Sequence, residues 1–137
     1  MTDDTTVSLV RVPELAPDVP YAYAAVTPPG RRLVLTSGAC PLDAAGAIVA
    51  PGDVAAQAEQ VMDNLEAALQ AAGAGLGDVA KTTVYVASTR REDLLTAWRV
   101  VRERFGDHDA PSTLLGVAVL GYRDQLVEVE AVASVPE

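Results

Sequence analysis

The feature that most constrains the fold lies near the C-terminus, where two strand-like runs, residues 112–120 and 126–132, are separated by a short connection. In the second run, valine and alanine alternate strictly with Glu128 and Glu130. Side chains of a strand point alternately to its two faces, so both carboxylates share one face. The two charges stand roughly 6.6 Å apart and repel mildly in water. Either this face is solvated, or one carboxylate is held there for a function.

Length and composition predict one domain over residues 1–137, large enough to bury a core without disulfides or metals. Half of the residues are apolar but only 4% are aromatic, so we expect a core of Ala, Val and Leu. The net charge of −9 argues against a nucleic-acid-binding surface, because phosphate binding depends on clustered Lys and Arg. We therefore expect no nucleic-acid partner.

The single cysteine, Cys40, indicates the compartment, because it excludes an internal disulfide and fits a reducing cytosol. The polar, acidic start at residues 1–6 lacks the pattern of a signal peptide. No apolar run approaches the ~20 residues that a membrane span needs. These features predict a cytoplasmic protein that does not contact a membrane.

The order of predicted elements is β-β-β-α-β-α-β-β. The strand candidates are residues 7–12, 21–26, 32–37, 80–86, 112–120 and 126–132. The helix candidates are residues 54–72, capped by Asp53, and residues 90–105, with a capping box from Thr89 to Glu92. The Pro-Pro-Gly turn at residues 28–30 predicts a hairpin between the second and third strands.

This order predicts an α+β fold, a single mixed sheet with both helices packed on one face, because right-handed crossovers place them on the same side. The other face of the sheet would then carry Tyr85, Glu128 and Glu130 with no helix to cover it. Oligomerisation through that face is the simplest physical explanation.

Two blocks in combination, Lys-Thr-Thr-Val-Tyr-Val at residues 81–86 and Val-Glu-Val-Glu-Ala-Val-Ala at residues 127–133, resemble the RidA family of YjgF-type reactive intermediate deaminases. The resemblance extends over nearly the whole chain and includes Leu-Thr-Ser-Gly at residues 35–38. It implies a chorismate-mutase-like fold and a homotrimer with clefts between subunits. It also implies hydrolysis of enamines and imines such as 2-aminoacrylate, to ketoacids and ammonia, without a metal or other cofactor.

The resemblance also implies site residues. Its catalytic Tyr, Ser and Glu match Tyr21, Ser37 and Glu128. Its substrate-binding positions fall on Ser112 in place of Arg, on or near Trp98 in place of Asn, and on Ala39 in place of Gln, with Cys40 following.

The change at Ser112 affects the expected substrate. The hydrogen bonds of an Arg–carboxylate pair contribute roughly 1.5–3 kcal/mol each, so losing the pair should weaken capture of a carboxylate by at least about one or two decades. This argues against 2-aminoacrylate as the substrate. Either the substrate lacks a carboxylate, or another cation serves, for which Arg31, Arg32 and Arg123 are the candidates.

Each candidate has a plainer alternative. Glu128 is interpreted as a general acid/base or else as a structural carboxylate, and Glu130 as interfacial or exposed. Cys40 is expected to be an inert buried thiol, because no Cys–His pair is established. His108 is expected in a solvated loop rather than at a metal.

The leading hypothesis is a trimeric hydrolase of a small enamine or imine. Its rival is a non-catalytic trimer of the same fold that binds a small molecule. A third activity sometimes attached to this family, that of a ribonuclease, is disfavoured by the acidic charge balance.

Overall fold

The computed structural model describes residues 7–137; the N-terminal segment for which no signal peptide is predicted, residues 1–6, lies outside the described residues. The strands are Ser8–Val10 (β1), Ala24–Val26 (β2), Arg31–Leu35 (β3), Val79–Val86 (β4), Ser112–Gly116 (β5) and Val127–Pro136 (β6). The helices are Val54–Ala71 (α1) and Arg91–Phe105 (α2), with a single 3-10 turn at Leu76–Asp78. All eight predicted elements are present.

The main sheet has four strands in the order β3-β6-β4-β5. Strands β4 and β5 are parallel, whereas β6 is antiparallel to both of its neighbours, so the sheet is mixed. Both helices contribute buried residues to the core that β4 and β6 form on one face. The predicted α+β class, two helices with a mixed sheet, is therefore confirmed.

The predicted hairpin and the single sheet are wrong. Strand β2 pairs with β1 in a separate two-stranded sheet, and β3 pairs with β6. Val34 lies opposite Ala133 and packs against the core, which ties β3 to the C-terminal strand. The Pro-Pro-Gly turn reverses the chain, with Gly30 at φ +72°, but it does not oblige the flanking strands to pair.

The two C-terminal strands are likewise not neighbours, because β4 lies between them. Strand β5 is shorter than predicted and ends at Gly116, opposite Val86 at the end of β4. Residues 117–126 therefore form a longer connection from the end of β5 to β6.

The helices begin as the local chemistry dictates, with one difference. The Asp53 side chain accepts a hydrogen bond from Ala56 N, as predicted for the cap of α1. The capping box predicted from Thr89 to Glu92 does not form, because the N-cap of α2 is Arg90, which makes no side-chain capping bond. Ser88 lies before this cap, and its hydroxyl accepts from Arg90 N and donates to Asp93. Of the helices in residues 7–137, none is long and apolar enough to cross a membrane.

The two faces of the main sheet differ in what covers them. The face toward the helices is closed, with Val127, Val129 and Ala131 at most 3% exposed. The opposite face carries Leu33 and Leu35, which are 59% and 72% exposed. Strand register places further side chains on this open face: Lys81, Thr83, Tyr85, Thr113, Leu115, Glu128, Glu130 and Val132. No helix of the described part of the chain covers it, in agreement with the expectation from the sequence.

Candidate functional site

Glu128 lies on the open face of β6, close to the segment that follows β3. The backbone of Ala39 bridges to Val129, with Ala39 N donating to Val129 O at 2.7 Å and Val129 N donating to Ala39 O at 3.2 Å. This bridge brings Gly38 and Cys40 against the half-buried Glu128 side chain. Ser37 is exposed directly before Gly38, so it lies at the rim of the same region.

Two donors converge on one oxygen of this carboxylate. Gln125 Nε2 donates to Glu128 Oε1 at 3.1 Å, and Cys40 Sγ donates to the same atom at 3.4 Å. Burial, and then the neighbouring charge of Glu128, raise the pKa of the Cys40 thiol above its usual value. The thiol therefore stays protonated at neutral pH and acts as a donor.

Gly38 is required by the position of this carboxylate. A Cβ atom built on Gly38 would lie 2.1 Å from Glu128 Oε2 and 2.5 Å from Glu128 Cδ. The carboxylate thus occupies the space that any other side chain would fill. The glycine of the Ser-Gly pair in the sequence motif is therefore explained by the space that Glu128 occupies.

The loop that carries Cys40 is fixed from α1. Asn64 Nδ2 donates to Cys40 O at 2.8 Å and to Leu42 O at 2.9 Å. Because both carbonyl groups belong to one loop, a single side chain sets the distance between the loop and the helix. Asn64 is thus a support for the Glu128 region that the sequence prediction did not include.

Gln125 is the residue nearest Glu128 that the sequence prediction missed. Gln125 is 3% exposed and lies in the connection that leads into β6. The residue before it, Asp124, has φ +66°. The pattern of the sequence carries no signal for this role, since a glutamine in a predicted connection is ordinarily exposed.

The remaining site predictions lie in a groove between α2 and β5. Its volume is about 390 Å³, and its walls are Pro20, Tyr21, Leu95, Trp98, Ser112 and Leu114. Tyr21, predicted to be catalytic, and Trp98 and Ser112, predicted to bind substrate, therefore do lie together. None of the lining residues is charged, whereas Arg102 of α2 lines the adjoining cavity that shares Trp98 and Ser112 with the groove.

The polar groups of this groove are already partly engaged. Thr82 Oγ1 donates to Ser112 Oγ at 2.7 Å. Tyr21 is held in place by Arg11, the residue that follows β1. Arg11 donates to Tyr21 O at 2.8 Å and forms an ion pair with Asp109 at 3.0 Å. Ala22 N donates to Asp109 O at 2.8 Å and fixes the same segment.

The Glu128 region and the groove lie on opposite faces of the sheet within one chain. Ser112 pairs with Thr82, and Thr82 pairs with Ala131, which faces the helices. Glu128 is three positions before Ala131 on the same strand and faces the other way. One chain by itself therefore does not bring Glu128 to Ser112.

The candidate cations lie elsewhere. Arg31 Nε donates to Ser134 Oγ at 3.1 Å, near the end of β6 remote from Glu128. Arg32 and Arg123 are exposed. None of the three lines the groove described above.

Glu130 and His108 have local partners. Tyr85 donates through its hydroxyl to Glu130 Oε1 at 3.3 Å, and burial followed by the charge of Glu130 raises the pKa of Tyr85. The prediction of a solvated loop for His108 is wrong. Its ring nitrogen Nε2 lies 2.7 Å from Val79 O, and its ring stacks on Phe105. Within residues 7–137, no cluster of His, Cys, Asp and Glu has the makings of a metal site.

Comparison with known proteins gives a consistent result. The family model described as endoribonuclease L-PSP matches residues 12–135. The chain is 38% identical over 105 residues to a 2-iminobutanoate/2-iminopropanoate deaminase of Escherichia coli K12, covering 74% of this chain and 79% of that protein. It is 33% identical over 120 residues to a RutC family protein of Pyrococcus horikoshii, covering 88% of this chain and 92% of that protein.

A solved structure shows the same fold over nearly the whole chain. The Rid-family protein YyfB of Yersinia pestis, of unknown function, superposes with a TM-score of 0.84 at 28% identity, covering 93% of this chain and 98% of that one. With the family model matching nearly the whole sequence, the chain belongs to the RidA (YjgF-type) family, whose model carries the description endoribonuclease L-PSP.

Proposed function

We propose that this protein hydrolyses a small enamine or imine to a carbonyl compound and ammonia, with Glu128 as the general acid/base. The observation that carries the proposal is the environment of Glu128: one carboxylate oxygen is held by two donors, and the other lies over Gly38 beside Ser37. The 38% identity to a protein named as an imine deaminase supports this reaction class.

The chemistry requires only one group that moves protons. Water adds to the C=N carbon as Glu128 takes one of its protons, and Glu128 passes that proton to the nitrogen, which gives the carbinolamine. As the C=O bond forms, Glu128 takes the hydroxyl proton of the carbinolamine and delivers it to the nitrogen, and the C–N bond breaks to release ammonia. The balance is R₂C=NH + H₂O → R₂C=O + NH₃. An enamine first accepts a proton at carbon, which gives an iminium ion, and this ion becomes the imine when its nitrogen gives up a proton.

We further propose that the site is completed between copies in a homotrimer. Glu128 and Ser37 of one copy would face the groove of Tyr21, Trp98 and Ser112 of the next. This arrangement is supported by the placement of the two halves on opposite faces of the sheet and by the exposed apolar side chains of β3. Ala39 and Cys40 would then border the substrate from the Glu128 side.

The groove favours a substrate without a carboxylate. Its walls offer an indole, two leucine side chains and the hydroxyl of Ser112, with no cation among them. A carboxylate in such a groove would lose its hydration without gaining an ionic partner. The substrates in the names of the deaminase relatives carry a carboxylate, so we expect this chain to prefer a different, neutral imine.

The test is ammonia release from a panel of imines generated in situ, in matched pairs with and without a carboxylate. The wild-type protein should accelerate hydrolysis of neutral members, and Glu128→Gln should lose at least about a hundredfold. Glu130→Gln, which changes a carboxylate on the same face, serves as the matched control and should retain activity. If the wild type does no better than Glu128→Gln on every substrate while it still binds them, the protein is a binding trimer and not an enzyme.

A further inference from the structure

The carboxylate of Glu128 is held asymmetrically. Both of its donors, Gln125 Nε2 and Cys40 Sγ, bind Oε1, at 3.1 and 3.4 Å. The other oxygen, Oε2, lies above the backbone of Gly38. The terminal torsion of a glutamate is broad and roughly two-fold, so without these donors the two oxygens would exchange places freely.

The orientation of the Gln125 amide is fixed by its other contacts. Its Oε1 accepts from Tyr122 N at 3.1 Å, and its Nε2 donates to Val127 O at 3.1 Å. A backbone N–H can only donate and a carbonyl can only accept, so a flipped amide would lose both bonds. Because the residue is 3% exposed, water would not replace them. One N–H of the amide is therefore taken by Val127 O, and the other is committed to Glu128.

We propose that Gln125 is a positioning residue that fastens Oε1 of Glu128, with the Cys40 thiol as the second donor, so that Oε2 is the atom that exchanges protons with water or substrate. This inference rests on the proposed function of Glu128. It assigns a task to Gln125, and it assigns the cysteine a role as a hydrogen-bond donor to the carboxylate rather than as a nucleophile. Fixing one oxygen keeps the other within proton-transfer geometry in each encounter.

A kinetic comparison of two buried glutamines tests the proposal. Gln125→Met keeps the side-chain length but removes the donor to Glu128. Gln57→Met is the matched control, because Gln57 is fully buried and braces the same connection, through Asp124 O at 2.9 Å and Leu126 N at 2.7 Å.

We expect Gln125→Met to lower kcat by about tenfold or more with KM changed less than about twofold, since a hydrogen bond to a charged group is lost. Gln57→Met should lower the melting temperature and lower kcat by a smaller factor than Gln125→Met, because it loosens the connection but keeps the Gln125 donor. Equal losses of kcat in the two variants, after correction for the folded fraction, would overturn the proposal.

A spectroscopic measurement tests the same contact without any substrate. Cys40 is the only cysteine of the chain, so its S–H stretching band in the infrared has a single source. The thiol lies within reach of two acceptors, Glu128 Oε1 at 3.4 Å and Gly38 O at 3.5 Å. In Gln125→Met the carboxylate can rotate and the thiol is left with the neutral carbonyl, so the band should move to higher wavenumber, and further than in Gln57→Met. A band that does not move in folded Gln125→Met contradicts the positioning role. Absence of imine hydrolysis by the wild type would instead contradict the proposed function.

Discussion

Gly38 and Glu128 share one small volume, and this makes Gly38→Ala a selective test of the carboxylate's position. The added Cβ would lie within 2.8 Å of Glu128 Cγ, Cδ and Oε2. Gly38 is not among the residues with positive φ, so alanine fits the backbone. The far end of the glutamate side chain must therefore move, away from Gln125 and Cys40.

We expect Gly38→Ala to lower imine hydrolysis by at least about tenfold, because the carboxylate leaves its donors. The free energy of unfolding should change by less than about 1 kcal/mol, since the loss of contacts is offset by the lower entropy of the unfolded chain. The control is Gly77→Ala, where a Cβ meets nothing within 4 Å. Activity and chemical denaturation of both variants decide the matter. A fully active Gly38→Ala would show that the position of Glu128 over Gly38 is not needed.

At the same scale, the sequence predicted some residues that the structure brings together, and it missed Gln125 for a definite reason. Alternation along β6 placed Glu128 on the face away from the core, and the family motifs pointed to Tyr21, Trp98 and Ser112, which do line one groove. Gln125 was missed because its bond to Glu128 depends on how residues 122–126 turn and become buried. Such a contact is set by the tertiary structure and leaves no periodic trace in the sequence.

The secondary-structure elements also divide into features that the sequence predicts and features that depend on tertiary structure. Hydrophobic periodicity predicted both helices and every strand, because each pattern reflects burial of one face by the element itself. Strand partners are a different matter. The turn at residues 28–30 indicated a local hairpin, but β3 gains more by pairing with β6, where Val34 reaches the core. The start of α2 differs from the prediction in a similar way, because its N-cap is Arg90 and not Thr89.

The connection between β1 and β2 forms one wall of the groove, and Arg11 anchors it. Arg11→Met removes the bonds to Tyr21 O and to Asp109 but keeps an extended side chain. We expect KM to rise severalfold because Tyr21 is held less firmly, while the free energy of unfolding falls by only ~0.2–1 kcal/mol, as for exposed ion pairs. Steady-state kinetics and thermal unfolding measure the two effects. Arg90→Met, which removes an exposed pair with Glu92, is the control and should leave KM unchanged. A KM equal to that of the control would show that Arg11 does not position Tyr21 for substrate binding.

For the whole molecule, the open face of the sheet is the feature that a single chain leaves unexplained. Leu35 is 72% exposed on that face. Leu35→Glu places a charge where we propose that copies meet, and it adds to a net charge of −9. We expect the wild type to sediment at three chain masses and Leu35→Glu to sediment mainly as a monomer with little activity. Leu15→Glu, an exposed leucine outside the sheet, is the control and should remain trimeric. A wild-type monomer that hydrolyses imines would refute assembly through this face.

Division of the site between copies has a sharper consequence, because two inactive variants should restore each other. Glu128→Gln keeps an intact groove, and Trp98→Asp, which puts a charge into the groove, keeps an intact Glu128. In trimers formed by refolding an equal mixture, about a quarter of the clefts would combine an intact half from each chain. We therefore expect ammonia release at about a quarter of the wild-type rate from the mixture, and almost none from either variant refolded alone. A site contained within one chain gives no such recovery, since every chain in the mixture carries one lesion.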